Sequence, residues 1–251
     1  MAEGRSPAQP ELVAFAFHWL ELLGLLGGIG SLVVRRLSRM PPRIGWVDPP
    51  MHLAFGAALA GGAGLLVASP SLLVLVRVAA EGMALFLCVR GIPLVSVFAV
   101  AAACLLPLTG HAAGVEPQPA GAEFADILHV LSAAMWAGGI LALGSLRPPG
   151  GWRSADAKAL VGRFERVAQV AFAVTALTGV LRATEQLSDL SDLWTTAYGE
   201  VLAVKIFGVM AMLAVSVAWR RGSPLARLDA AIAIAVVGVT ALLAAFPLPV
   251  N

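Results

Sequence analysis

The sequence predicts an all-α bundle of transmembrane helices, a single membrane domain that crosses the bilayer eight times and keeps both termini outside. Three observations carry that prediction. Hydrophobic residues make up 59% of the 251 and charged residues only 13%, with a mean hydropathy of +0.86, too apolar for a domain that must keep a wet surface. The apolar residues come in long unbroken runs near the roughly 20 residues a helix needs to cross hydrocarbon, where barrel strands would show short alternating segments. The basic residues gather in alternate loops, as the positive-inside rule requires of a polytopic chain.

The first span is Leu12 to Val34, and it carries His18, Glu21 and the Gly27-Gly28 pair. The polar stretch before it, Met1 to Glu11, lacks a basic region followed by a cleavable apolar core, so this span is expected to be retained. The second, Leu53 to Ser69, has His52 at its inner start, and the third, Leu72 to Val89, contains Arg77, Glu81 and Cys88. The fourth, Pro93 to His111, holds Cys104 and ends in Gly110-His111. The fifth, Glu123 to Leu146, opens on Asp126 and His129 and continues through Trp136 to Gly138-Gly139. The sixth is Val167 to Ala183. In the loop after it, Leu187, Leu190, Leu193 and Trp194 fall at helical spacing opposite Asp189 and Asp192, the pattern of a short interfacial helix. The seventh span, Tyr198 to Trp219, carries Lys205, and the eighth is Leu228 to Phe246.

With the N-terminus outside, every basic residue except Arg5, Arg77, Arg182 and Lys205 falls on the cytoplasmic side, and an odd number of spans would destroy the bias. Topology thus accounts for nearly all the basic residues, and the net charge of +2 implies no nucleic-acid partner. Cys88 and Cys104 both sit within apolar runs, so a disulfide is not expected.

The same topology sorts the four histidines. His18, His111 and His129 lie in the outer leaflet, the first and last at similar depth, roughly 9 Å below the helix start at about 1.5 Å per residue. An internal repeat bears on whether they meet. His18 precedes Gly27-Gly28-Ile29 at the spacing by which His129 precedes Gly138-Gly139-Ile140, and Val76-Arg77-Val78 resembles Val204-Lys205-Ile206. This suggests a parallel four-plus-four repeat, residues 1–111 and 123–251, with spans one and five in equivalent positions.

Histidine within a span is a functional-site hypothesis by default, and imidazole suits copper or zinc. His18, His111 and His129 are therefore the candidate metal ligands, against the plainer reading in which each hydrogen-bonds a neighbouring helix. Around them stand possible supporting or pathway residues. Asp126 and Glu21 are each three residues from a histidine, the spacing at which a carboxylate orients an imidazole. Cys104 is seven residues before His111, where Cu(I) could meet its thiol. Lys205 needs a partner from another span, for which Glu21 and Asp126 are candidates. Arg77 and Glu81, four apart, are expected to neutralise each other. Trp136 shares a face with His129 and reads first as a packing tryptophan. No nucleophile with a base, phosphate-binding glycine loop or metalloprotease pattern occurs, so no enzymatic chemistry is expected.

The pattern Leu128-His129, Trp136, Gly138-Gly139, with Arg163-Phe164, Thr178-Gly179-Val180, Ala197-Tyr198-Gly199 and Lys205 after it and Gly110-His111 before, resembles the copper resistance protein D family (CopD and PcoD, including the YcnJ type). The resemblance implies an eight-helix bacterial plasma-membrane protein that handles copper ions, as Cu(I) or Cu(II), commonly by moving them across the membrane. It leaves delivery to solution or to a periplasmic or extracellular copper chaperone, and the direction of movement open. Two other readings of the residues remain beside it. One is a b-type haem electron carrier held by axial histidines between helices. The other is a noncatalytic membrane subunit of a larger assembly.

Overall fold

In hydrocarbon every backbone N–H and C=O of an apolar run must be satisfied within the protein, and a helix does so within the segment itself. The computed structural model describes residues 12–109, 120–186, 189, 191–220 and 225–245, and among these it is all-α, without strands. The helices are α1 (Leu12–Ser38), α2 (Met51–Ala68), α3 (Leu72–Val89), α4 (Val95–Leu105), α5 (Ala120–Ser145), α6 (Ala155–Gln186), α7 (Asp192–Thr195), α8 (Ala197–Arg220) and α9 (Ala226–Ala245). All but α4 and α7 are long and apolar enough to span a bilayer.

The run expected as the fourth span departs from that pattern. It folds as an 11-residue helix, α4, about 16 Å long at 1.5 Å per residue, against a hydrocarbon core of about 30 Å. Pro107 is the reason. A proline cannot donate to the helical ladder, so, although Leu106 before it keeps helical φ and ψ, the chain tightens into a 3-10 turn over Pro107–Thr109. His111 lies outside the described residues. The expected interfacial helix is also shorter. Its described helical part is α7, a single turn of 4 residues, while Leu187 and Leu190 fall outside the described residues.

Helices α1 and α5 form the centre. Helix α1 packs on α2, α4, α5, α6 and α9, and α5 on α1, α4, α6 and α9. Glycine lets the two backbones meet. A Cβ on Gly138 would overlap the Leu26 carbonyl oxygen, and one on Gly30 would overlap the Gly138 backbone, the close approach that small residues give helices in membranes. The contacts also have the exchange symmetry of the suggested repeat. Pairs α1–α2, α3–α4, α1–α4 and α4–α5 correspond to α5–α6, α8–α9, α5–α9 and α9–α1, and all are present. Two pairs break it: α2 packs on α3, whereas α6 and α8 do not form a packed pair, and α1 packs on α6, whereas α5 and α2 do not.

Apolar side chains fill two clusters, one around Leu25, Ile29, Phe55 and Ala99 in the first half, the other around Leu143, Leu160, Phe164 and Met212 in the second. Val170, Leu177 and Val180 on α6 and Val204, Phe207 and Met210 on α8 are exposed, a surface suited to lipid rather than water. At the arginine-rich end, α6 starts well before the expected Val167, with the Ala157 N–H donating to Ser154 Oγ at 3.4 Å. These early turns carry Arg163, whose guanidinium donates to the carbonyls of Leu37 (2.9 Å), Met40 (3.0 Å) and Pro42 (2.8 Å). The end of α1 is thereby tied to α6.

A candidate metal site in the α5–α6 seam

On α5, Asp126, His129, Ser132 and Trp136 are spaced three, three and four apart, which places them on one helix face. On α6, Phe172, Thr175, Thr178 and Arg182 repeat that spacing in the opposite direction. The two faces meet rung by rung. Asp126 Oδ1 lies 2.7 Å from Arg182 Nε, His129 Nδ1 lies 3.0 Å from Thr178 Oγ1, and Ser132 Oγ lies 2.8 Å from Thr175 Oγ1. Trp136 and Phe172 close the series edge to face at 4.9 Å between ring centroids. A polar ladder therefore descends from the end away from the arginines and stops on an aromatic pair.

The His129 rung fixes the state of its imidazole. Thr178 has one hydroxyl hydrogen, and its Oγ1 lies 2.7 Å from the Val174 carbonyl and 3.1 Å from that of Thr175, the back-bond that a helical threonine makes. With that hydrogen committed, Oγ1 can only accept from His129, so Nδ1 carries the ring hydrogen. The Nε2 atom of the neutral ring then keeps its lone pair, the arrangement in which the partner of one nitrogen prepares the other for a metal. Gly179 makes room for the ring, since a Cβ there would sit 3.4 Å from His129 Cε1. The charges of Lys205 and Arg182 both act on the imidazole, and Arg182 acts on Tyr198 at the start of α8 as well.

The other sequence candidates are placed as follows. His129 is nine residues before Gly138, and at about 100° per residue this puts it on roughly the opposite side of α5 from the α1 contact. Helices α1 and α5 are neighbours, yet His129 faces α6 rather than α1, and the half-buried His18 stands on α1. Cys104 is a half-buried free thiol near the end of α4. His52 is exposed, at a pocket on the arginine-rich end that Arg35, Asp48, Met51 and Cys88 also line. Among the described residues no three His, Cys, Asp or Glu side chains form a metal-binding group. The haem alternative finds no axial pair in this seam, because α6 contains no histidine.

Several expected pairings are replaced by others. The hydrogen-bond partner of His129 Nδ1 is Thr178, while Asp126 pairs with Arg182. Arg77 pairs across helices, its Nε 2.8 Å from Glu21 Oε1, instead of simply neutralising Glu81 on its own helix. Both candidate partners of Lys205 are thus engaged elsewhere. Trp136 is a packing residue, 5% exposed. Sequence reasoning passed over Ser132, Thr175 and the role of Thr178, although the matching three-three-four spacings on α5 and α6 were there to be paired.

The motifs that carry the family resemblance converge here. Thr178-Gly179 cradles His129, Trp136 meets α6, and Phe164 fills the space that Gly139 leaves open, where a Cβ would collide with its ring. Residues 158–244 match the family model of copper resistance protein D, a region that includes Arg163, Thr178, Arg182 and Lys205 but begins after His129. A curated relative, the copper transport protein CutJ of Bacillus subtilis (strain 168), is 40% identical over 100 residues, covering 39% of this chain and 18% of that protein. The chain therefore spans less than a fifth of that relative's length. No solved structure matches. The fold is a polytopic bundle of apolar helices, and its residues 158–244 are similar to copper resistance protein D.

Proposed function

We propose that the protein handles copper in the bacterial plasma membrane, moving the ion as cargo along the α5–α6 seam with His129 as its first fixed ligand. The observation that carries this reading is the Thr178 lock on His129 Nδ1, which leaves Nε2 as a pre-oriented donor suited to copper. The ladder supports a direction of entry. Asp126 and Arg182 stand at its mouth, the hydroxyls of Ser132 and Thr175 follow His129, and Trp136 with Phe172 closes the path. His111, which precedes α5 in the sequence, and Cys104 on α4 are the further ligands we assign to the entrance. His18 is the equivalent imidazole of the first half. A periplasmic or extracellular chaperone delivering copper to this end fits the same reading.

Copper binding to the purified protein tests it, measured by competition with a calibrated chelator. His129→Ala should lose the tightest site. Thr178→Val keeps the volume but removes the acceptor, and should weaken binding by about 10–100-fold, the usual effect of losing the group that orients a ligand. Unchanged binding in both His129→Ala and His111→Ala would overturn the proposal.

A further inference from the structure

The first half holds a buried group of charges that copper handling at His129 leaves unused. Glu21 on α1, and Arg77 and Glu81 on α3, are 0%, 2% and 0% exposed. Glu21 and Glu81 are each at least two turns from either end of their helices, and Arg77 is one turn closer to the start of α3 than Glu81. Arg77 is 2.8 Å from Glu21 and balances one of the two carboxylates. The second carboxylate, Glu81, has no hydrogen-bond donor on either oxygen among the described residues. Its carboxyl group stands against that of Glu21 over the same glycine. A Cβ on Gly62 would overlap Glu81 Oε2 and lie 3.0 Å from Glu21 Oε1. Two ionised carboxylates and one guanidinium would leave a net negative charge in an apolar core, where an uncompensated charge is strongly disfavoured.

We propose that Glu21 and Glu81 form a proton-binding site in which one proton bridges the two carboxyl groups. A carboxyl pair sharing a site gives up its second proton reluctantly because like charges so close cannot both ionise. With the proton in place, one carboxylate faces Arg77, one carboxylic acid donates to it, and the group is neutral. Release returns a proton to water and leaves the pair with a single unbalanced charge, a change large enough to bias helix packing. Helix α2 presents Gly61 and Gly62 here, and among the described residues the charges acting on the two carboxyls are each other and Arg77. Among the described residues, Cys104, His129, Arg163 and Asp229, on helices packed on α1 and α3, do not act on them. The second half lacks the pair. In the register that aligns His18 with His129, Ser132 stands where Glu21 does, and in the register that aligns Arg77 with Lys205, Val209 stands where Glu81 does. The site is thus particular to the first half, and it stands or falls independently of copper binding.

Infrared spectroscopy of the purified full chain tests the proposal. At neutral pH a protonated-carboxyl carbonyl band is expected that shifts when glutamate is isotopically labelled and disappears in Glu81→Gln. The labelling separates it from the buried Asp229. Gln mimics a neutral acid, so Glu81→Gln should keep wild-type thermal stability, whereas Glu81→Asp should retain a band. The absence of a glutamate-sensitive band in the wild type, which needs no variant to fold, would overturn the assignment. So would a band unchanged in Glu81→Gln, or stabilisation of the wild type by sodium or potassium in place of the proton.

Discussion

Replacing Arg163 should unfasten the arginine-rich end of the bundle. Its guanidinium makes three hydrogen bonds, to the carbonyls of Leu37, Met40 and Pro42, at 2.8–3.0 Å, and is only 9% exposed. Hydrogen bonds to charged groups each contribute about 1.5–3 kcal/mol. The acceptors lie at and just beyond the C-terminal end of α1, where a cation gains a further 0.3–1 kcal/mol or so from the helix dipole. Against this, Met40 and Pro42 are exposed and their carbonyls can recover water, while Leu37 is buried. The net loss on Arg163→Met is therefore about 2–4 kcal/mol, read as a lower midpoint in reversible denaturant titration of the micelle-solubilised protein. Arg163→Lys should recover less than half of it, because an ammonium lacks the planar fork that reaches several carbonyls at once. Wild-type stability in Arg163→Met, or full recovery with lysine, would refute the reasoning.

Gly138→Ala should destabilise the α1–α5 crossing by about 1–3 kcal/mol through overpacking, because its Cβ would meet the Leu26 carbonyl; unfolding midpoints check this, with the open Gly121 as control. Phe164→Ala should cost about 3–5 kcal/mol through the cavity it leaves, and Gly139→Ala should be less damaging in that background than alone, which a double-mutant cycle measures. Ser216→Ala should loosen α8 from α9 by about 1–3 kcal/mol, since it leaves the fully buried Asp229 without its 2.5 Å partner. Hydrogen exchange confined to α8 and α9 would report that loosening.

The spans were legible in the sequence because crossing hydrocarbon is a demand on composition and run length, both local. The bounds of α3, Leu72–Val89, are those the sequence implies, and Ser71 marks its start by accepting from the Val74 N–H at 3.2 Å. The α1–α5 contact was legible only in part: Gly138 of the matched pairs does meet α1, but Gly27 and Gly28 face Ala54 and Phe55 of α2, and Gly30 makes the α1 side of the crossing. Even the shortness of α4 lay open in Pro107. What the residue order alone did not determine was which way each helix is rotated. Asp126 and His129 share a face, so a local reading pairs them, but packing α6 antiparallel along that face offers Arg182 to the carboxylate and Thr178 to the imidazole. The same holds for Arg77, whose nearest acid in sequence is Glu81 and whose ion-pair partner at 2.8 Å is Glu21. Partners within a helix are set by a fixed period of 3.6 residues, whereas partners between helices depend on rotation and register. Those are decided only when the apolar faces and glycine contacts of the whole bundle are satisfied together, and the candidate copper ligand and the carboxyl pair both owe their chemistry to that step.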